Sequence, residues 1–338
     1  MSQSSRRALL QTAGVGIGTF AILTHQAKAA EFSYKFGNNQ PANHPLNIRS
    51  NEAAAKIAED SGGRLELRVF PNNQLGADTD MLAQLRSGAL EMFAISGINV
   101  LSSLNKVTSL YGVAFAFPDY DVMWSALDGD LGAYLRQQIE KLNLYALEKV
   151  WDNGFRQVTS GTKPIRTPDD LKGFKIRVPV SRLWTSTFQS LGASPVSVNF
   201  AEAYTALKTK IADGQENPLA LIYFAKFYEV QKYCAMTNHM WDGLFNAMNG
   251  RAWRALPPNL QAVLADNMNM AVIKGRADLV ELNKTVRSKL EENGLVFNDT
   301  NRSEFQGTLS KSGYYKQWKE TFGPEAWALL EKYSGPLV

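Results

Sequence analysis

Between residues 32 and 95 the apolar period of the chain alternates, and that alternation restricts the fold more than any other feature. Residues 32–36 (FSYKF) alternate apolar and polar side chains, as a strand with one buried face does. Pro45 then opens a helical stretch to about Asp60, with Ala54, Ile57 and Ala58 turned inward and Ser61-Gly62-Gly63 as its stop. Residues 65–70 (LELRVF) alternate again. Residues 78–87 place Met81, Leu82 and Leu85 on one helical side, and 91–95 form a third strand. Strand, helix, strand, helix, strand with short connections predicts an α/β fold: a parallel sheet with helices on its faces.

The pattern continues downstream. Residues 121–141 are expected to be mostly helical, and 144–150 to be a strand that the chain leaves at 151–156 (WDNGFR) with a glycine break. Residues 175–178 read as a short strand. Asn199 with Glu202 makes a capping-box start to a helix carrying Phe200, Tyr204, Leu207 and Ile211, stopped by Asp213-Gly214. Residues 233–237 look like another strand. After Pro257-Pro258 a helical run from Asn259 to Glu292 is on the order of 50 Å long, more than one lobe is wide, so it is expected to bridge two lobes. Gly275 is its interior glycine and the place for a bend. The chain length likewise favours two lobes over one core.

The first residues carry an export signal. Arg6-Arg7 belong to a twin-arginine pattern, an apolar run follows at 13–23, and Ala27-Lys28-Ala29 is a cleavage signal, so a signal peptide over 1–29 is expected to be removed. The apolar run is too short to span a bilayer. The location implied is the periplasm of a bacterium. The whole chain has 36 basic and 32 acidic residues, and three of the basic ones leave with the signal, so no basic field remains to attract nucleic acid. Cys234 is the one cysteine and makes no internal disulfide. Enzyme chemistry lacks its parts. The exported portion has only His44 and His239, with no nucleophile elbow, no zinc-binding pair and no Cys/His cluster, so no catalytic residue, metal or cofactor is assigned.

What remains is a pattern for holding a carboxylate. Arg177 sits on a short β-branched strand, and Asn217 lies in a Gln-Glu-Asn-Pro turn downstream. A fixed guanidinium fork with an amide donor satisfies a carboxylate, and lysine lacks that planar fork. A solvated strand arginine and a turn-forming asparagine are the alternatives.

The run Lys175-Ile176-Arg177-Val178-Pro179, then Gly192-Ala193-Ser194-Pro195, Phe200-x-Glu202-x-Tyr204-x-Ala206-Leu207 and Asp213-Gly214-Gln215-Glu216-Asn217-Pro218, resembles the solute-binding subunits of TRAP transporters. Residues 227–233 (FYEVQKY), Thr237-Asn238-His239, Phe70-Pro71, Gln74-Leu75-Gly76 and Asn153-Gly154-Phe155-Arg156 extend the likeness over nearly all of the exported chain. The resemblance implies two α/β lobes joined by hinge strands, with a long helix spanning both. The lobes are expected at 30–153 plus 242–281 and at 154–241 plus 282–338. It implies a ligand held in the cleft and passed to TRAP membrane permease subunits. It puts the carboxylate-binding arginine at Arg177, a second cleft arginine at Arg156, the amide donor at Asn217 and a packing ring at Phe200. A hinge salt bridge is the alternative for Arg156.

For the rest of the ligand, Ile95, Ser96 and Asn99 lack the charges that sialic-acid-type members carry there. Trp151, Trp184 and Trp241 are candidates for an aromatic wall beside Phe200, each with a second reading as core. Asn39, His44, Asp78 and Ser96 are candidates for first-lobe polar contacts. The expectation is a periplasmic subunit that captures a small organic carboxylate, with aromatic acids or sugar acids favoured. A periplasmic ligand sensor is the runner-up.

Overall fold

The computed structural model describes residues 29–337, so the export motifs before Ala29 lie outside the described residues. The expected α/β alternation is present. β1 (Phe32–Gly37), β2 (Leu65–Phe70) and β3 (Met92–Ser96) are parallel neighbours, connected through α1 (Pro45–Asp60) and α2 (Asp78–Ser87). The helical region expected over 121–141 is two helices, α3 (Tyr120–Leu127) and α4 (Asp130–Glu140). The chain breaks there at Asp128-Gly129, where Gly129 takes an extended N-cap conformation.

β4 (Leu144–Ser160) corrects a second expectation. It does not stop at its glycine but runs through it, with a register shift between Asp152 and Gly154 and Gly154 at φ +117°. A glycine there lets the strand bend without ending. Beyond it come β5 (Lys175–Val178), α5 (Arg182–Ser190), β6 (Ser194–Ser197), α6 (Phe200–Lys208), β7 (Gly214–Pro218), α7 (Leu219–Phe224) and β8 (Tyr233–Met236). β9 (Trp241–Asn249) returns to the first sheet, followed by α8 (Gly250–Ala255) and α9 (Pro258–Asn283). α10 (Val286–Glu292), β10 (Val296–Asp299), α11 (Arg302–Lys311), α12 (Tyr314–Phe322) and α13 (Pro324–Ser334) complete the chain.

The strands follow the order β2-β1-β3-β9-β4-β7-β5-β6, with β8 pairing β4 and β10 pairing β8. β4 is the shared element. Its residues up to Phe155 pair with β9, and its last five pair with β7, with β8 alongside. One strand therefore passes from one sheet into the other, and the cleft lies where it does so.

β7 falls where the sequence predicts a turn, yet it is a strand buried along its whole length, antiparallel to β4 and parallel to β5. Its Gln-Glu-Asn-Pro content hides it, because a buried strand normally reads as an apolar run.

The long helix is also shorter than expected. α9 has 26 residues, about 39 Å at 1.5 Å per residue, and the chain leaves helical geometry at Thr285 before α10 starts. It packs on α1 and β4 and reaches α7, so it touches elements of both sheets. Gly275 is not a bend but a close approach: a Cβ there would lie 2.6 Å from the Trp151 ring.

Three apolar clusters hold the molecule. Phe36, Ile57, Trp151 and Met268 pack between the first sheet and α1 with α9. Met81, Phe93, Leu135 and Trp327 belong to a second cluster that the C-terminal helices close. Leu207, Ile222, Cys234 and Leu290 form a third. Cys234 is a buried free thiol, and burial raises its pKa. No helix among the described residues is long and apolar enough to cross a membrane.

Candidate ligand-binding site

Immediately after the bend in β4, Arg156 enters the second sheet opposite Pro218 of β7. Its Nη2 donates to Glu216 Oε1 at 2.8 Å and to Asn217 Oδ1 at 2.9 Å, while Nε donates to Glu216 Oε2. Its Nη1 donates to Asp242 Oδ2 at 3.0 Å. His239 Nε2 lies 3.1 Å from Glu216 Oε2. Asp242 also accepts from Ser96 Oγ at 2.6 Å and from Asn153 Nδ2 at 2.8 Å.

All of these groups are buried. Burial alone would raise the Glu216 pKa, but Arg156 and His239 hold it below the usual carboxylate range. Burial would lower that of Arg156, and Glu216 with Asp242 raises it instead. Asp242 is pushed upward, because desolvation outweighs its contacts with Arg156, Ser96 and Asn153.

Arg177 on β5 is equally buried and is treated differently. Nε and Nη2 donate to one backbone carbonyl, Val198 O, at 2.9 and 2.7 Å. Its Nη1 has no partner, and among the described residues Arg177 makes no ion pair. The Phe200 ring centre lies 6.0 Å from the guanidinium. Burial, with Arg156 adding to it, lowers the Arg177 pKa to about 10 against the pull of Glu216 and Asp78, so the group stays charged at neutral pH. A charge taken out of water without a counter-ion is costly. The arrangement presents a fixed cationic edge to an anion.

Both arginines line one cavity, with about 330 Å³ of empty space between its walls including the part open to solvent. Asn217, Phe200 and Trp184 line it from the second sheet's elements, and Asn39 and Ser96 from the first's. Of the sequence candidates, seven are thus brought together: Arg177, Arg156, Asn217, Phe200, Trp184, Asn39 and Ser96. The guanidinium of Arg156 stacks over Trp184 at 4.8 Å. Elements of the two sheets also meet through Asn199 Nδ2 to Thr79 Oγ1 at 3.5 Å and the His44 ring against Phe224 at 5.7 Å.

Four candidates lie off the cavity wall. Trp151 is core: it packs against Gly275, and its Nε1 donates to Asn246 Oδ1 at 2.8 Å. Trp241 is core too, packed on Tyr111 and Trp124 with Nε1 donating to Asp152 Oδ1 at 2.9 Å. Both sit on strands whose sheet faces are covered, which leaves no wall for them to form. His44 caps α1, its Nδ1 accepting from Leu46 N, and burial lowers its pKa to about 3, so it is neutral. Asp78 stands behind Asn39 and Asn99 rather than at the surface of the cavity.

The lining also includes Gln40, Asn99, Asn153 and Asp242, with Leu221 and Leu244, none of which the sequence predicts. Glu216 and Asp242 complete the charge network around Arg156. A signal exists for Glu216: it stands in the motif that carries Asn217. Gln40 and Asn99 belong to loops and Asn153 to the bend inside β4, where no periodicity marks them.

Comparison with known proteins bears on the family and the fold. The family model DctP, bacterial extracellular solute-binding protein family 7, matches residues 36–321. The 2,3-diketo-L-gulonate-binding periplasmic protein YiaO of Escherichia coli is 32% identical over 295 residues, covering 87% of this chain and 88% of that one. Two solved structures superpose closely. The sugar acid binding protein DctPAm of Advenella mimigardefordensis, in complex with galactonate, has a TM-score of 0.86 at 26% identity, covering 92% of this chain and 100% of that one. A TRAP periplasmic solute-binding protein of Sulfurospirillum deleyianum with bound succinate has a TM-score of 0.84 at 28% identity, covering 90% and 99%.

Proposed function

Because the chain belongs to the DctP family of bacterial extracellular solute-binding proteins, we propose that it captures a small organic monocarboxylate in the periplasm and delivers it to a TRAP membrane permease. Arg177 carries this reading. It is a buried guanidinium, charged at neutral pH, with a free Nη1 edge, in a cavity, with no ion-pair partner among the described residues. Asn217, Phe200, Trp184, Asn39 and Ser96 are the contacts proposed around the ligand, with Arg156 behind them.

One carboxylate suits this cavity better than two. Arg156 is the other cation in the lining, and Glu216 and Asp242 already answer its charge. Sugar acids are favoured over aromatic acids. Trp184 and Phe200 offer ring surface, but amides and a hydroxyl make up much of the lining. The galactonate complex and the 2,3-diketo-L-gulonate-binding relative support the same class.

The lobes are taken as 30–153 plus 242–281 and 154–241 plus 282–338. The passage of β4 between sheets supports a hinge near Asn153-Gly154, while the C-terminal helices touch elements on both sides. Export through the twin-arginine leader, with cleavage near Ala30, fits a family of periplasmic proteins. Binding without turnover is proposed, since the buried acids and histidine are engaged with one another.

Calorimetry tests the function. D-galactonate, D-glucuronate, succinate and benzoate are titrated beside galactonamide and benzamide, and the recovered ligands are checked for products. Carboxylate binding with no amide binding and no product is expected. Amides that bind as well as their acids would remove the role given to Arg177.

A further inference from the structure

Two buried aspartates decide how the amides of the cavity wall are turned. Asp78 is the first residue of α2, where the helix start favours a negative charge. Its carboxylate receives Asn39 Nδ2 at 3.1 and 3.0 Å, Asn99 Nδ2 at 2.8 Å and Asn73 Nδ2 at 3.3 Å. A carboxylate only accepts hydrogen bonds, so each amide must give it an N–H and turn its carbonyl away. This removes the usual ambiguity of asparagine orientation.

The consequences pass along a chain. Asn99 Oδ1 is left without a partner. Asn39 Oδ1 accepts from Gln40 Nε2 at 3.1 Å, which turns Gln40 Oε1 away, also without a partner. Asp242 acts in the same way on Asn153, whose Nδ2 it accepts and whose Oδ1 is free. Asn99, Gln40 and Asn153 all line the cavity. Against these three acceptors the same lining carries two partnerless donors, Arg177 Nη1 and Trp184 Nε1. Buried polar atoms are normally paired, so a fitting ligand supplies donors to the first set and acceptors to the second.

We infer that Asp78, which does not line the cavity, is a positioning residue for specificity: by fixing Asn39 and Asn99 it makes the first-lobe wall accept hydroxyl donors. The inference rests on reading the cavity as a carboxylate site. The carboxylate end is met by Arg177, and the hydroxyl-bearing remainder is selected by the oriented amides. Asp78→Asn keeps the shape but has one accepting oxygen and an N–H₂ of its own. The amides on its N–H₂ side must then turn, and where these are Asn39 or Asn99 rather than Asn73, N–H₂ replaces a carbonyl in the wall.

The test titrates wild type and Asp78→Asn with D-galactonate, D-gluconate and D-erythronate, and with hexanoate and butanoate as hydroxyl-free acids of equal chain length. Wild type is expected to bind its best hydroxy acid about 100-fold or more tighter than the matching plain acid, since unmatched buried acceptors are costly. Asp78→Asn is expected to shrink that ratio to about 10-fold or less, whereas loss of the Asp78 charge that pulls on Arg177 acts on both acids alike and leaves the ratio as it is. A merely structural role would weaken both acids together, and an unchanged ratio overturns the inference. Wild type binding plain acids as well as hydroxy acids also overturns it, while leaving the carboxylate function standing. Wild type binding none of the five overturns this inference, and if D-glucuronate, succinate and benzoate do not bind either, the carboxylate function falls with it. Where Asp78→Asn fails to melt cooperatively, a crystal structure of wild type with the tightest-binding acid decides. Asn99 Oδ1 and Gln40 Oε1 within hydrogen-bonding distance of ligand hydroxyls supports the inference, and amides facing ligand carbon or carboxylate overturns it.

Discussion

Arg156 leaves β4 into a nest of acceptors, whereas Arg177, on β5 in the same cleft, meets a single backbone carbonyl. Their exposures are 2% and 1%, so burial does not distinguish them. Partners do. Glu216 and Asp242 neutralise Arg156 and tie β4, β7 and β9 together where the chain crosses between sheets. Arg177 is pinned in place but left unneutralised, and the fold carries that cost until an anion arrives. The proposed function accordingly assigns the first arginine to the architecture of the cleft and the second to its occupant.

The same substitution at both positions breaks this comparison most directly. Arg156→Met leaves two buried carboxylates without their cation, and a loss of about 3–5 kcal/mol in denaturant-monitored stability is expected. A near-neutral effect would mean that the network is not structural. Arg177→Met removes an unpaired buried charge, so the melting temperature should hold or rise. Binding of the best carboxylate should fall about 100-fold or more by calorimetry, the order expected for losing one partner of a buried charge pair. If both variants lose stability alike, the division of labour between the arginines is wrong.

Asp152 sharpens the point with a smaller effect. It too is buried, on β4 close to the bend, held by the Trp241 indole N–H at 2.9 Å. Unlike arginine, it can shed its charge. Burial pushes its pKa up to about 7, whereas an aspartate in an unfolded chain titrates near about 3.9. Between those values the native protein holds a proton that the unfolded chain lacks. Stability from this group therefore falls as pH rises through that window and levels off above about 7. Glu216, with its lowered pKa, contributes in the opposite sense and only in more acidic solution, as pH falls through its folded value. Asp152→Asn should consequently raise the melting temperature more at pH 8 than at pH 5. An equal shift at both values would show that Asp152 does not titrate in that range.

Several elements are legible in the amino-acid order alone. β1 and β2 stand where alternation of apolar and polar side chains places them, because each has one face in a core, and β5 stands where its short β-branched run reads as a strand. β7 misleads for the complementary reason. Its side chains are polar because they serve the cleft, so burial leaves no apolar trace. Trp151 and Trp241 illustrate a second limit: a large ring suits a core and a ligand wall equally well, and only the covered sheet faces separate the two. The oriented amides illustrate a third. Gln40, Asn99 and Asn153 carry no local pattern, and their direction is set by aspartates brought near by the fold.

By itself the amino-acid sequence determined the α/β class, the strand that carries Arg177 and the family likeness, since these depend on local periodicity and contiguous motifs. Which arginine stays free was decided by the tertiary structure alone. Arg156 finds Glu216 60 residues away and Asp242 86 residues away, and neutralisation depends on distance in space, not along the chain. Arg177 is the arginine proposed for the ligand because no carboxylate of the fold forms an ion pair with it among the described residues.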